Sequence, residues 1–181
     1  MRRISVVGSS GVGKSTTAAT LSNALGLPHL ELDGVFHQPN WQPLPGDQFR
    51  SRVADSVAGD AWVVDGNYTS LGVNDIVWDA ADTLVWLDYS KPVVMSQVSR
   101  RAISRAATKK ELWNGNTESW SNLMRWDPES NIVRWSWTRF ESTRAKYESK
   151  IEEPRWSHLD VYRLVTRSDT KRFLQHLESG G

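Results

Sequence analysis

The chain has 181 residues, a length typical of one domain whose core needs neither disulfides nor metal staples. Lys and Arg number 22 against 21 Asp and Glu, a formal charge of +1, so no global field favours nucleic acid or an anionic membrane, and any anion site must be local. With no cysteine, disulfide frameworks, thiolate zinc sites and cysteine nucleophiles are excluded, which fits a reducing compartment.

The opening "MRRISVV" is basic and then apolar, but the apolar run stops after four residues in a Gly/Ser loop, too short for a secretory segment. No later stretch is long enough to span a bilayer. The expectation is a soluble, cytoplasmic protein. Short apolar runs alternate with amphipathic segments, the pattern of a parallel sheet joined by helical crossovers. The spacing predicts strands over 3–7, 29–32, 61–65, 83–88 and 159–165, and helices over 14–25, 47–58, 91–107, 129–150 and 170–177. Gly26 and Pro28 stop the first helix, Asp47 caps the second, and Pro92 is tolerated in the first turn of the third. The polar stretch 108–122 carries "NGN" and reads as a loop. Trp135, Trp137 and Phe140 are expected to pack the long helix onto the sheet.

"GSSGVGKST" follows the first strand and opens the first helix. Gly8, Gly13, Lys14 and Ser15 fit G-x-x-x-x-G-K-[ST] without a gap, in the strand-to-helix context the motif requires. Such glycines let backbone N–H groups curl around phosphate oxygens at a helix N-terminus. The backbone of Gly8, Gly11, Val12 and Gly13, with Lys14, Ser15 and Thr16, is thus expected to hold ATP or GTP. Lys14 reaches the β/γ-phosphates and Ser15 offers its hydroxyl to Mg²⁺. A GTPase switch needs a guanine-reading motif such as N-K-x-D, and the sequence has none.

Asp33 ends the second predicted strand in "LDGVFHQPNW", and Asp65 ends the third in "WVVDGNY". In an open parallel sheet both face the crevice beyond the strand ends, where a carboxylate either holds Mg²⁺, usually through water, or takes a proton from an attacking hydroxyl. Either aspartate alone also reads as a turn residue. His37 has no partner at ligand spacing, so no zinc site is expected.

These segments, together with "ADTLVWLD" and "RR...LWNGNTESW", resemble the adenylate kinase-related P-loop kinases of the topology modulation protein (FlaR-like) family. The resemblance runs from Arg3 to the last helix. It implies an α/β three-layer P-loop fold with a parallel five-stranded sheet in the order 2-3-1-4-5. It also implies a lid at about 108–122 and transfer of the γ-phosphoryl of ATP, with Mg²⁺, to a small-molecule hydroxyl or phosphate. Asp65 is similar to the acidic residue that orders the magnesium shell in such kinases, and Asp33 to the aspartate that meets the acceptor hydroxyl as base or clamp. "DGNY" replaces the adenylate kinase "DGFPR", which argues against a nucleoside monophosphate as acceptor. Asp88, the end of a Walker-B-like string, stands on the fourth strand and is read as starting the next connection.

Phosphoryl transfer requires cations over the migrating group. Arg100, Arg101 and Arg105 precede the lid segment, and the four-residue spacing puts Arg101 and Arg105 on one face. A solvated basic helix end is the alternative. Arg50 is placed, by analogy, to bind an anionic part of the acceptor, and Arg167 to grip the adenine. Trp41 either walls the acceptor pocket, with Asp33, Gly66 and Tyr68, or folds onto the surface. The family name suggests a second reading, an NTP-binding or hydrolysing regulatory module linked to nucleic acid; the near-neutral charge and the lack of a binding motif argue against it.

Overall fold

Five apolar runs form five strands: β1 (Arg3–Gly8), β2 (His29–Glu31), β3 (Trp62–Asp65), β4 (Thr83–Leu87) and β5 (Asp160–Leu164). The coordinates are a computed structural model describing residues 1–108, 111–117 and 132–178. All four pairings are parallel and the order is β2-β3-β1-β4-β5, the order the resemblance implies. Parallel neighbours require crossovers. They come from α1 (Lys14–Leu25), α2 (Leu32–Phe36), α3 (Gly46–Val57), α4 (Val73–Ala80), α5 (Lys91–Thr108) and α6 (Ile132–Ile151); α7 (Arg167–Glu178) follows β5.

Because strand side chains alternate between faces, the sheet divides the core in two. Ile4, Val6, Val63, Val85 and Leu87 pack with Ala18 and Leu21 of α1 and with Val94 and Val98 of α5, and Phe173 and Leu174 of α7 close that side. Val7, Val64, Leu84 and Trp86 pack on the other face with Phe49 and Val53 of α3, Val77 and Trp78 of α4 and Tyr147 of α6. The helices stop where expected: at Gly26 the backbone turns left-handed, φ 65°, and its N–H caps Ser22.

Three expectations are corrected. The second strand ends at Glu31, one residue short of the expected Leu32, and Leu32 and Asp33 open the short helix α2 instead. Helix α4 lies in a stretch left unassigned by pattern, although Val73 and Val77, one helical turn apart, are both buried. Trp137 is 57% exposed, with the Lys91 ammonium over its ring, and Trp135 is half-buried, so of the three aromatics only Phe140 is core. The tryptophans that fill the core are Trp62, Trp78, Trp86 and Trp156. Among the described residues, no helix is long and apolar enough to cross a membrane.

Candidate active site

The site grows from the end of the central strand. Gly8 (φ 142°) and Gly11 (φ 76°) hold conformations that side chains disfavour, and each is also boxed in: a Cβ on Gly8 would lie 2.5 Å from the Leu87 carbonyl oxygen, and one on Gly11 2.3 Å from Val98 Cγ2. Val12 anchors the loop in the core. Lys14 folds back so that Nζ donates to the carbonyl oxygens of Gly8 and Ser9, both at 3.1 Å. Burial lowers its pKa; Asp33 and Asp65 oppose the shift and Arg101 adds to it. The charges of Asp33 on α2, Asp65 on β3 and Arg101 on α5 thus all act on the Lys14 ammonium. Ser15 and Thr16 follow, exposed in the first turn of α1.

Asp33 sits in the first turn of α2, and its Oδ1 accepts a 2.7 Å hydrogen bond from the Tyr68 hydroxyl. The Tyr68 ring lies 4.8 Å from Phe36 and 4.9 Å from Phe49, centroid to centroid, and its backbone N–H is held by Asn74 Oδ1. Burial and then the Asp33 charge push the Tyr68 phenol far above its ordinary pKa. Gly66 (φ 143°) leads into this turn with its missing Cβ facing Leu32 at 2.6 Å, so it shapes the backbone beneath Asp33.

Asp65 ends β3 level with Val6 of β1. It is 3% exposed, His29 Nε2 is 3.9 Å from its Oδ1, and its Oδ2 has no hydrogen-bond partner among the described residues. A buried carboxylate oxygen left open costs free energy unless water or a cation completes it. The described residues contain no cluster of three or more His, Cys, Asp or Glu side chains that would cage a metal. Mg²⁺ keeps waters and needs few protein ligands when phosphates supply the rest, so the open Asp65 Oδ2 fits the water shell of that ion.

Arg101 on α5 is within electrostatic range of Lys14, and Arg105 is half-buried one turn further on. Arg50 pairs with Asp47 on its own helix. The Asp88 side chain is engaged by arginines: Arg163 donates to its Oδ2 at 2.6 and 2.8 Å and Arg144 Nε lies 3.2 Å from its Oδ1, an ion-pair cluster with Glu148. Arg167, at the start of α7, lines a cavity of about 400 Å³ between α1 and α7 with Thr16, Thr17, Thr20, Tyr89 and Thr170.

Trp41 is 37% exposed, yet its indole and backbone N–H groups bond to Thr117 O and Asn116 Oδ1. Its partner segment, 111–117, is, with Thr108, the last residue of α5, the described part of the proposed lid; Lys109, Lys110 and 118–122 lie outside the described residues. The sequence reading missed Trp113, whose indole N–H donates to Glu31 at 2.8 Å and whose ring covers Gly34 beside Asp33, and it missed Asn114 and Asn116. The only signal for them was the "WNGN" string itself.

No family model matches the chain, and no curated protein matches it. Among solved structures, it is similar to a gluconokinase from Sinorhizobium meliloti 1021, with 18% identity and a TM-score of 0.52, over 98% of this chain and 94% of that one. It is also similar to a shikimate kinase from Bacteroides thetaiotaomicron, with 12% identity and a TM-score of 0.56, over 98% and 97% of the two chains. At these identities the likeness establishes the fold alone, and that fold is the one shared by P-loop kinases.

Proposed function

We propose that the protein is a Mg²⁺- and ATP-dependent kinase of a small hydroxylated molecule, of the FlaR-like group its motifs resemble. The observation that carries this reading is the glycine-built loop at the end of the central strand, with Lys14 folded over the Gly8 and Ser9 carbonyls and the charges of Asp33, Asp65 and Arg101 acting on it.

The backbone from Gly8 to Gly13, with Thr16, cradles the β- and γ-phosphates, and Lys14 exchanges its two carbonyl partners for phosphate oxygens. Ser15 and Asp65 hold the Mg²⁺ shell, and the bound ion supplies charge neutralisation on the phosphates. Arg167 and the cavity beside Thr16 receive the base. Asp33 accepts the proton of the acceptor hydroxyl as its oxygen bonds to the γ-phosphorus; the bond from that phosphorus to the bridging oxygen breaks and ADP leaves. Arg101 and Arg105 neutralise the migrating group. Gly66, Tyr68, Trp41 and Arg50 border the acceptor side, and 108–122 serves as the lid.

The test is ADP release by the purified protein against a panel of sugars, sugar acids, hydroxy acids and nucleosides, with Lys14→Ala, Asp33→Asn and Asp65→Asn alongside. An acceptor that raises turnover in the wild type and in none of the three variants supports the reading. Binding of ATP without turnover on any acceptor, together with a duplex-DNA mobility shift at low salt, would move the assignment to a nucleic-acid-linked NTP module.

A further inference from the structure

Two loops from distant parts of the chain have one shape. Residues 37–43 are closed by an antiparallel bridge between His37 and Pro43, and residues 111–117 by one between Glu111 and Thr117. Each spans seven residues with an asparagine at the fourth in the left-handed conformation: Asn40 at φ 59°, ψ 32° and Asn114 at φ 56°, ψ 35°. The first loop continues the helix that carries Asp33, and the second follows the helix that carries Arg101 and Arg105.

Asn116 joins them. It is 4% exposed. Its Nδ2 donates to Gln38 O at 3.0 Å and to Trp113 O at 2.8 Å, and its Oδ1 accepts from the Trp41 backbone N–H at 2.8 Å. Around it, Asn114 Nδ2 donates to Gly34 O and His37 O, Trp41 Nε1 to Thr117 O and Trp113 Nε1 to Glu31. A buried amide is stable only while all these partners are present, because a half-broken set leaves buried polar groups unpaired. The contact therefore closes or opens as a whole.

We infer that Asn116 is a positioning residue: it makes the Asp33-side loop and residues 111–117 one rigid body, so that Trp41 and Trp113 keep a fixed place beside the acceptor-side carboxylate. The mechanical part stands on the hydrogen bonds alone. Its consequence for phosphoryl transfer rests on the kinase reading.

Amide hydrogen exchange resolves the two. The reporters are the N–H groups of Gln38, which bonds within the first loop to Gln42 O, and of Leu44, which bonds across its base to Phe36 O; neither N–H bonds to the Asn116 side chain. Asn116→Ala is expected to speed exchange at both by roughly tenfold or more, and Asn116→Asp, which sets a carboxylate oxygen against the Gln38 and Trp113 carbonyls, by at least as much. Unchanged Gln38 and Leu44 with faster exchange at Leu112 alone would overturn the rigid-body claim. Asn114→Gly keeps the left-handed backbone while removing two of the cross-loop bonds, and it gives the same reading if Asn116→Ala fails to fold. In a second arm, Mg²⁺ with a non-hydrolysable ATP analogue is expected to slow exchange at Gln38 and Leu44 in the wild type and not in Asn116→Ala. An equal response in both proteins, or none in a wild type whose P-loop amides do respond, removes the positioning role. No response at the P-loop itself would instead defeat the kinase reading, leaving the first arm to decide the latch.

Discussion

The Tyr68 hydroxyl and Asp33 Oδ1 are 2.7 Å apart, so one oxygen of the proposed base is already committed before any acceptor arrives. Tyr68→Phe removes that bond and keeps the ring packed on Phe36 and Phe49. A hydrogen bond to a charged group contributes about 1.5–3 kcal/mol, so turnover on an identified acceptor is expected to fall roughly ten- to a hundredfold, with ATP affinity unchanged. Steady-state kinetics beside titration of a fluorescent ATP analogue separate the two. An equal loss of ATP affinity would mean that Tyr68 supports the phosphate loop rather than Asp33.

The phosphate-loop glycines are predicted to differ. A Cβ on Gly13 meets nothing within 4 Å, so Gly13→Ala carries only the strain of φ 109°, about 1–2 kcal/mol. On Gly8 the Cβ would strike the Leu87 carbonyl, which is backbone and cannot swing away; Gly8→Ala is expected to cost about 3 kcal/mol or more. Urea unfolding midpoints of the two variants, compared with the wild type, check the ranking.

Lys14 sets a pH dependence whose sign is fixed by its burial. Its pKa in the folded protein lies below the ordinary 10.5, so the unfolded chain holds more protons between the two values and stability rises with pH across that window. Below the lowered pKa the cost is present in full. The difference between wild type and Lys14→Met in urea midpoint, followed from neutral pH to 10.5, is expected to shift in favour of the wild type as pH rises. Phosphate binding should raise the pKa again, so at alkaline pH nucleotide binding takes up a proton, visible as buffer-dependent binding heat.

Asp88 is predicted to support the fold and not the ligand. It is 7% exposed and pairs with Arg163 and Arg144, whose side chains are 40% and 38% exposed. Removing one partner of a sealed pair costs about 3–5 kcal/mol, but these guanidinium groups can turn to water. Asp88→Ala is therefore expected to lose about 2 kcal/mol, read from urea unfolding. Affinity for the ATP analogue should stay at the wild-type value.

The phosphate loop and the strands were legible because their signals are local: four fixed residues, and apolar runs of strand length. Asp33 was legible as an acid beyond a strand but not as a member of α2, since five residues carry too little periodicity to show a helix. Helix α4 has only eight residues, with Asp75 and Asp79 among them, and its buried Val73 and Val77 need the sheet beneath to give them meaning. Trp137 was misplaced because aromatic spacing on a helix does not say which stripe faces inward. The bonds of Asn116 to Gln38 and Trp41 join residues more than seventy apart, and no window along the chain contains both ends.

The strand that carries the phosphate loop is made first and completed late. Ile4 pairs with Val63 on one side and Thr83 on the other, and Gly8 with Leu87. A chain leaving the ribosome thus holds its first strand without neighbours until β3 and β4 emerge. Contacts of such sequence separation slow folding, because loop closure precedes any gain from pairing. The loop has no fixed form to offer a nucleotide until β4 docks, so ATP is expected to slow unfolding of the finished protein while leaving its refolding rate untouched.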